Sequence, residues 1–110
     1  MKIKTGIDIV YIPKFEKLME NEGFIKKVFH ASECSNYNAE HLAGIFAAKE
    51  AFFKAVNKKP QWLKIEVKNK KTGKPILLAK ELKGKIKDID ISISHDKDYA
   101  IATVCLIENI

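Results

Sequence analysis

The twelve residues from Ile45 to Val56, IFAAKEAFFKAV, constrain this chain more than any other stretch. Their alanine content and their lack of glycine and proline favour helix. Extended back to Leu42, the segment is apolar almost all the way round, which marks a helix buried by its own domain. Its charges are Lys49, Glu50 and Lys54. Glu50 and Lys54 fall roughly 40° apart on one narrow strip. Of the residues three and four positions from Glu50, Phe46, Ala47 and Phe53 are apolar and only Lys54 is not. Two readings stand at this point. One is a surface ion pair in the favourable order, worth a few tenths of a kcal/mol. The other is a carboxylate and an amine in an apolar setting, each needing a partner such as a metal or a phosphate.

Upstream, Ile3 to Ile12 reads as a strand rich in β-branched residues. Asp8 sits between two isoleucines there, out of keeping with a strand unless it marks a bulge or a strand end. Ile12-Pro13 stops the strand, and Pro13 suits the first turn of a helix. Phe15, Leu18, Met19, Ile25 and Val28 form a helical stripe with a break expected at Gly23, and Lys14 and Lys17 lie on its outer face. His30 to Asn38 is polar and irregular, with a short helical turn expected after Ser32. Asn38 is placed to cap a long helix ending near Asn57.

Beyond Lys58-Lys59-Pro60, Leu63, Ile65 and Val67 alternate with polar residues as in a half-buried strand. Residues 69–73 carry turn chemistry, and Pro75 to Leu78 returns as a strand. A short helix is expected within 79–85. Ile89, Ile91 and Ile93 alternate towards His95, and a turn at Asp96-Lys97-Asp98 leads into the β-forming run from Tyr99 to Leu106. The expectation is one α+β domain over residues 1–110, a long central helix packed on a mainly antiparallel sheet.

A chain of 110 residues has room for one core. Its net charge of +6 favours acidic partners such as nucleic acid, phosphorylated cofactors or an acidic protein. Cys34 and Cys105 lack the spacing of a zinc or redox motif, so reduced thiols and a cytoplasmic setting are expected. No apolar run approaches the ~20 residues of a membrane helix. Three polar anomalies remain on apolar elements: Asp8, Glu50 with Lys54, and His95 at a strand end. Two carboxylates with waters are what Mg²⁺ prefers when it bridges protein and substrate phosphate.

Four blocks occur in order: Gly6-Ile7-Asp8-Ile9-Val10, Phe46-Ala47-Ala48-Lys49-Glu50-Ala51-Phe52-Phe53-Lys54-Ala55, Gly73-Lys74-Pro75, and Ile91-Ser92-Ile93-Ser94-His95-Asp96. Over nearly the whole chain they resemble holo-acyl-carrier-protein synthase, the short bacterial type of 4′-phosphopantetheinyl transferase. The resemblance implies that fold, and transfer of the phosphopantetheine arm of coenzyme A to a serine of apo-acyl carrier protein for fatty acid biosynthesis. It implies release of adenosine 3′,5′-bisphosphate, a Mg²⁺ cofactor, and a homotrimer with sites at subunit boundaries.

Position by position, Asp8 and Glu50 match the family's metal ligands and Lys54 its active-site lysine. Glu50, Lys54 and His95 are the implied catalytic residues, with the base left open between Glu50 and a water. Gly73, Lys74, Pro75, Ser94 and His95, with Lys54, match the coenzyme A site, and Asp96 is a further candidate nearby. Lys14 stands where the family usually has an arginine that helps bind the carrier protein, and Lys17 extends that face. The chain departs from the family at Ile45, where arginine is common, at His30, and in a short 57–62 segment. The rival reading is a small basic nucleic-acid-binding module using Lys68, Lys70, Lys71 and Lys74. Against it, the aromatics fall mainly at helical core spacing, not on strand faces that would stack bases. No nucleic-acid or membrane partner is therefore expected.

Overall fold

A computed structural model describes residues 1–35, 38–82 and 84–109. The order is β1 (Lys2–Tyr11), α1 (Ile12–Met19), α2 (Glu22–Val28), a 3₁₀ turn (Ala31–Cys34) and α3 (Ala39–Val56). There follow a 3₁₀ turn (Trp62–Lys64), β2 (Glu66–Asn69), β3 (Pro75–Leu78), a 3₁₀ turn (Lys80–Leu82), β4 (Ile86–Asp96) and β5 (Tyr99–Glu108). The α+β class is as expected. The strands divide into an antiparallel sheet ordered β1-β5-β4 and a separate β2-β3 hairpin. Among the described residues no helix is long and apolar enough to cross a membrane.

Helix α3 begins where its cap was expected. The Asn38 side chain accepts from the amides of Glu40 and His41 at 2.8 and 3.2 Å, satisfying two donors that a first turn leaves free. It ends at Asn57 in the left-handed conformation, φ 56°. Between them Leu42, Ala43, Ala47, Ala48, Ala51 and Phe52 are wholly buried. Fully burying a side chain such as Leu42 or Phe52 stabilises the fold by about 1.5–3 kcal/mol.

The helix lies close on the sheet because small residues face it. Ala100 and Ala102 of β5 are fully buried beneath it, and two glycines admit close contact, Gly6 with the backbone of α3 and Gly44 with side chains of β4. A Cβ on Gly6 would stand 1.9 Å from the Ala51 carbonyl oxygen, and one on Gly44 would stand 2.8 Å from Ile93 Cγ2. Gly6→Ala should therefore force β1 and α3 apart and cost about 1–3 kcal/mol or more, measured by urea unfolding.

Three local expectations are corrected. The break between α1 and α2 falls at Glu20-Asn21, because the Asn21 side chain caps α2 through the Phe24 amide at 3.2 Å, leaving Gly23 inside the helix. Leu63 is not in a strand: it stands in a 3₁₀ turn, 48% exposed, and β2 starts only at Glu66. Asp8 sits at neither a bulge nor a strand end. It pairs in regular register with Ala102, and the irregularity in the sheet lies at Ile86/Asp88.

That register turns Gly6, Asp8 and Val10 towards α3 and leaves the isoleucines of β1 outside. Ile3, Ile7 and Ile9 are 70%, 61% and 59% exposed, and Tyr11, Tyr99 and Ile101 extend the same apolar outer face.

Candidate functional site

Asp8 projects from the middle of β1, and Glu50 and Lys54 project from successive turns of α3. The local Glu50–Lys54 ion pair allowed by the sequence does not form. Lys54 reaches across to β1 instead, donating to Asp8 Oδ1 at 2.9 Å and to the Ile7 carbonyl at 3.1 Å. Its side chain is 57% exposed, whereas Asp8 retains only 12% exposure. Glu50 makes no hydrogen bond or ion pair with another described residue. Burial pushes its carboxyl above the usual carboxylate range, the negative charge of Asp8 pushes it further, and Lys54 partly offsets both.

Glu50 and Lys54 form one wall of a groove of about 470 Å³, completed by Phe53, Asn57, Lys58, Lys59 and Pro60. Lys54 also borders a second hollow against Thr5, Gly6, Ile7 and Cys105. Three lysines thus line the groove beside Glu50, with Asp8 adjoining through Lys54, an arrangement suited to polyphosphate together with a cation.

The other sequence candidates stand elsewhere in the chain. Gly73, Lys74 and Pro75 form the turn and first residue of β3, tied to β4 where Lys74 donates to Asp90 at 2.9 Å and to the Ile91 carbonyl at 3.1 Å. Ser94 and His95 lie on β4 opposite Ile101 and Ala100. The His95 ring bonds the Glu40 carbonyl at 2.9 Å. Glu40 lies ten residues before Glu50, about 15 Å along the helix. Asp96 ends β4. Lys14 and Lys17 are exposed on α1. Within one chain, then, Asp8, Glu50 and Lys54 converge; the Gly73–Pro75 turn, Ser94 and His95 do not join them.

Sequence reasoning missed Lys49 and Glu33. Lys49 is fully buried and its ammonium meets Glu33 Oε1 at 2.8 Å, with both side chains at 0% exposure. A signal was present: the positions three and four residues from Lys49 are Ile45, Phe46, Phe52 and Phe53, which leave this lysine no polar strip. Burial pushes the ammonium below its ordinary pKa, and the hydrogen bond and charge of Glu33 hold it back. At the departures from the family, Ile45 is buried in the core and His30 turns its ring to the Ile65 carbonyl at 3.1 Å.

A family model described as the 4′-phosphopantetheinyl transferase superfamily matches residues 4–104. A holo-[acyl-carrier-protein] synthase of Geobacillus sp. (strain WCH70) is 40% identical over 118 aligned residues, covering 96% of this chain and 97% of that one. One from Nautilia profundicola is 38% identical, covering 94% of this chain and 98% of its own. Among solved structures, the synthase of Bacillus anthracis in complex with CoA (3′,5′-ADP) superposes with a TM-score of 0.82 at 34% identity, over 97% of this chain and 96% of that one. That of Helicobacter pylori in complex with coenzyme A gives 0.85 at 30% identity, over 94% and 99%. With this match and relatives of this identity and coverage, the chain belongs to the 4′-phosphopantetheinyl transferase superfamily, in its holo-acyl-carrier-protein synthase family.

Proposed function

We propose that this protein transfers the 4′-phosphopantetheine group of coenzyme A to a serine of apo-acyl carrier protein, releasing adenosine 3′,5′-bisphosphate, and so serves fatty acid biosynthesis in the cytoplasm. The observation that carries the reading is the cluster of Asp8, Glu50 and Lys54, of which Glu50 and Lys54 wall a lysine-lined groove, in a chain of this family.

Asp8 and Glu50 fit a hard divalent cation. Their donors are all oxygen, and no third His, Cys, Asp or Glu joins them in a metal-holding group among the described residues. A two-carboxylate site leaves the remaining positions to water and substrate, as Mg²⁺ prefers. Held by Asp8 and Glu50, a magnesium ion would supply charge neutralisation for the pyrophosphate of coenzyme A.

The carrier protein brings the nucleophilic serine, so the chain needs none of its own. Lys58 and Lys59 hold phosphate charge at the rim of the groove. Lys54 neutralises or protonates the departing phosphate, and Glu50, a weakened acid and hence a stronger base, is a candidate for the serine proton.

The reading extends to assembly. A sheet face carrying Ile3, Ile7, Ile9, Tyr11, Tyr99 and Ile101 in the open is more apolar than a monomer usually keeps. It supports a homotrimer in which Gly73, Lys74, Pro75, Ser94 and His95 of one copy complete the coenzyme A site of another. Sedimentation should give roughly three subunits, and activity should fall on dilution; a fully active monomer would remove the shared site.

Lys14 and Lys17 on α1 are the proposed carrier contacts. Reversing both to Glu should slow carrier association and raise its KM at low salt, with little change in coenzyme A binding.

The direct test incubates the protein with coenzyme A, Mg²⁺ and an apo-acyl carrier protein and weighs the carrier. A mass gain of one phosphopantetheine is expected. Salt-sensitive oligonucleotide binding without transfer would replace this reading with the nucleic-acid one.

A further inference from the structure

Lys49 and Glu33 take no part in the chemistry above, yet they are the two charged residues buried in the core among the described residues. Lys49 Nζ donates to Glu33 Oε1 at 2.8 Å, to the Val28 carbonyl at 2.6 Å and to the Trp62 carbonyl at 3.2 Å. Glu33 is held in turn by the amides of His30 on Oε1 and Val67 on Oε2, each at 2.8 Å. One ammonium thereby joins α2, α3, the turn after His30 and the turn at Trp62.

The Trp62 carbonyl is the contact that bears on the groove. Trp62 directly follows residues 57–61, which have no helix or strand of their own and of which Asn57, Lys58, Lys59 and Pro60 line the groove beside Glu50. One end of that segment is fixed by the helix cap, where the amides of Asn57 and Lys58 bond the carbonyls of Lys54 and Phe53 at 3.2 and 3.0 Å. The other end is fixed at Trp62. Its ring packs on Phe46 and Phe53 at 5.2 and 6.1 Å between centroids, and these residues lie one turn to either side of Lys49. Its carbonyl is fixed by Lys49 itself.

We propose that Lys49, held by Glu33, is a positioning residue for coenzyme A: by fixing the Trp62 carbonyl it sets the Lys58-Lys59-Pro60 wall of the groove. The inference rests on the transferase reading. Asp8, Glu50 and Lys54 are placed by strand pairing and helix hydrogen bonds that do not involve this tether. Loosening the tether should therefore weaken coenzyme A binding and spare turnover. A pair that only stabilises the fold gives another pattern, in which fewer folded molecules lower kcat and leave KM unchanged.

Trp62 is the single tryptophan of the chain, so its fluorescence reports the tether without substrate. The test uses the full-length double variant Glu33→Gln/Lys49→Met, which removes both charges and keeps a side-chain oxygen at position 33 to accept from the Val67 amide. At a temperature where circular dichroism shows it folded, KM for coenzyme A should rise roughly tenfold with kcat within about twofold. Trp62 emission should shift to the red and become more open to acrylamide quenching. Unchanged KM and emission, or a fall in kcat alone, would overturn the proposal. If the double variant does not fold, Pro60→Gly loosens the same wall with the pair intact and should give the same rise in KM; an unchanged KM there overturns it too. Wild-type protein that transfers nothing would sink the transferase reading instead, and the Trp62 measurement would still decide the tether.

Discussion

Replacing Glu50 with Gln, or Asp8 with Asn, is expected to slow phosphopantetheine transfer by about a thousandfold while the protein stays folded. Charge neutralisation at a transferring phosphate is worth several kcal/mol, and each ~1.4 kcal/mol is tenfold in rate. Stability should move the other way. Two carboxylates ~4 Å apart repel by on the order of 4 kcal/mol at an effective dielectric of ~20, before Lys54 and water reduce the figure. Burial first, and the charge of Asp8 second, raise the pKa of Glu50 in the folded protein. The native state then binds that proton more tightly than the unfolded chain does. Stability must fall as pH climbs from the ordinary carboxylate value through the raised one.

Glu50→Gln abolishes that fall. In metal-free buffer it should melt at or above the wild-type temperature near neutral pH, with the difference closing in acid. Asp8→Asn should gain less, because it surrenders the ion pair to Lys54. Added Mg²⁺ should raise the Tm of the wild type but of neither variant. Melting curves with and without Mg²⁺, run beside transfer rates, decide the matter: wild-type rates in both variants would eliminate the metal assignment.

Lys49→Met should produce the largest loss of stability of any single substitution considered. It strands Glu33 as a buried charge with no counter-ion, a situation that costs about 3–5 kcal/mol. At roughly 4–8 °C per kcal/mol for a domain near this size, Tm should drop by roughly 12–40 °C. Adding Glu33→Gln should recover most of the loss, since a neutral pair of similar volume carries no such penalty. Equal melting temperatures for the single and double variants would mean that the charge on Glu33 is not what Lys49 neutralises.

Much of the fold is legible in the chain because α3 and β5 state their own structure. Asn38 caps, alanine and phenylalanine fill the helix except for the strip of Glu50 and Lys54, and the run from Tyr99 to Leu106 is β-forming. What escapes local reading is set by distant partners. Alternation through Leu63, Ile65 and Val67 suggests a strand from the first of them, but the chain at Leu63 is still turning out of the tethered Trp62. Lys54 has a carboxylate one turn away and prefers one on another element, a choice that helical spacing cannot reveal. The candidate site is legible as Asp8, Glu50 and Lys54 because each is polar on an apolar element, a signal that His95 at its strand end also gives; Ser94 and the Gly73–Pro75 turn entered through family resemblance alone.

The sheet order β1-β5-β4 also bears on how the molecule comes into being. Its middle strand is the last of the three to leave a ribosome, and it pairs with the first, Lys2 opposite Glu108. Until β5 emerges, β1 and β4 have nothing between them, and α3 lacks Ala100 and Ala102, the part of its floor that lies between β1 and β4. Asp8 has no register until the ladder over Ala102 closes. Joining strands that far apart in sequence requires closing a loop of nearly the whole chain, which favours folding in milliseconds to seconds over microseconds. A growing chain thus carries an apolar helix only partly covered and a site not yet assembled. The carboxylates proposed to hold the metal should take up their final geometry only once β5 has joined the sheet, in one cooperative step.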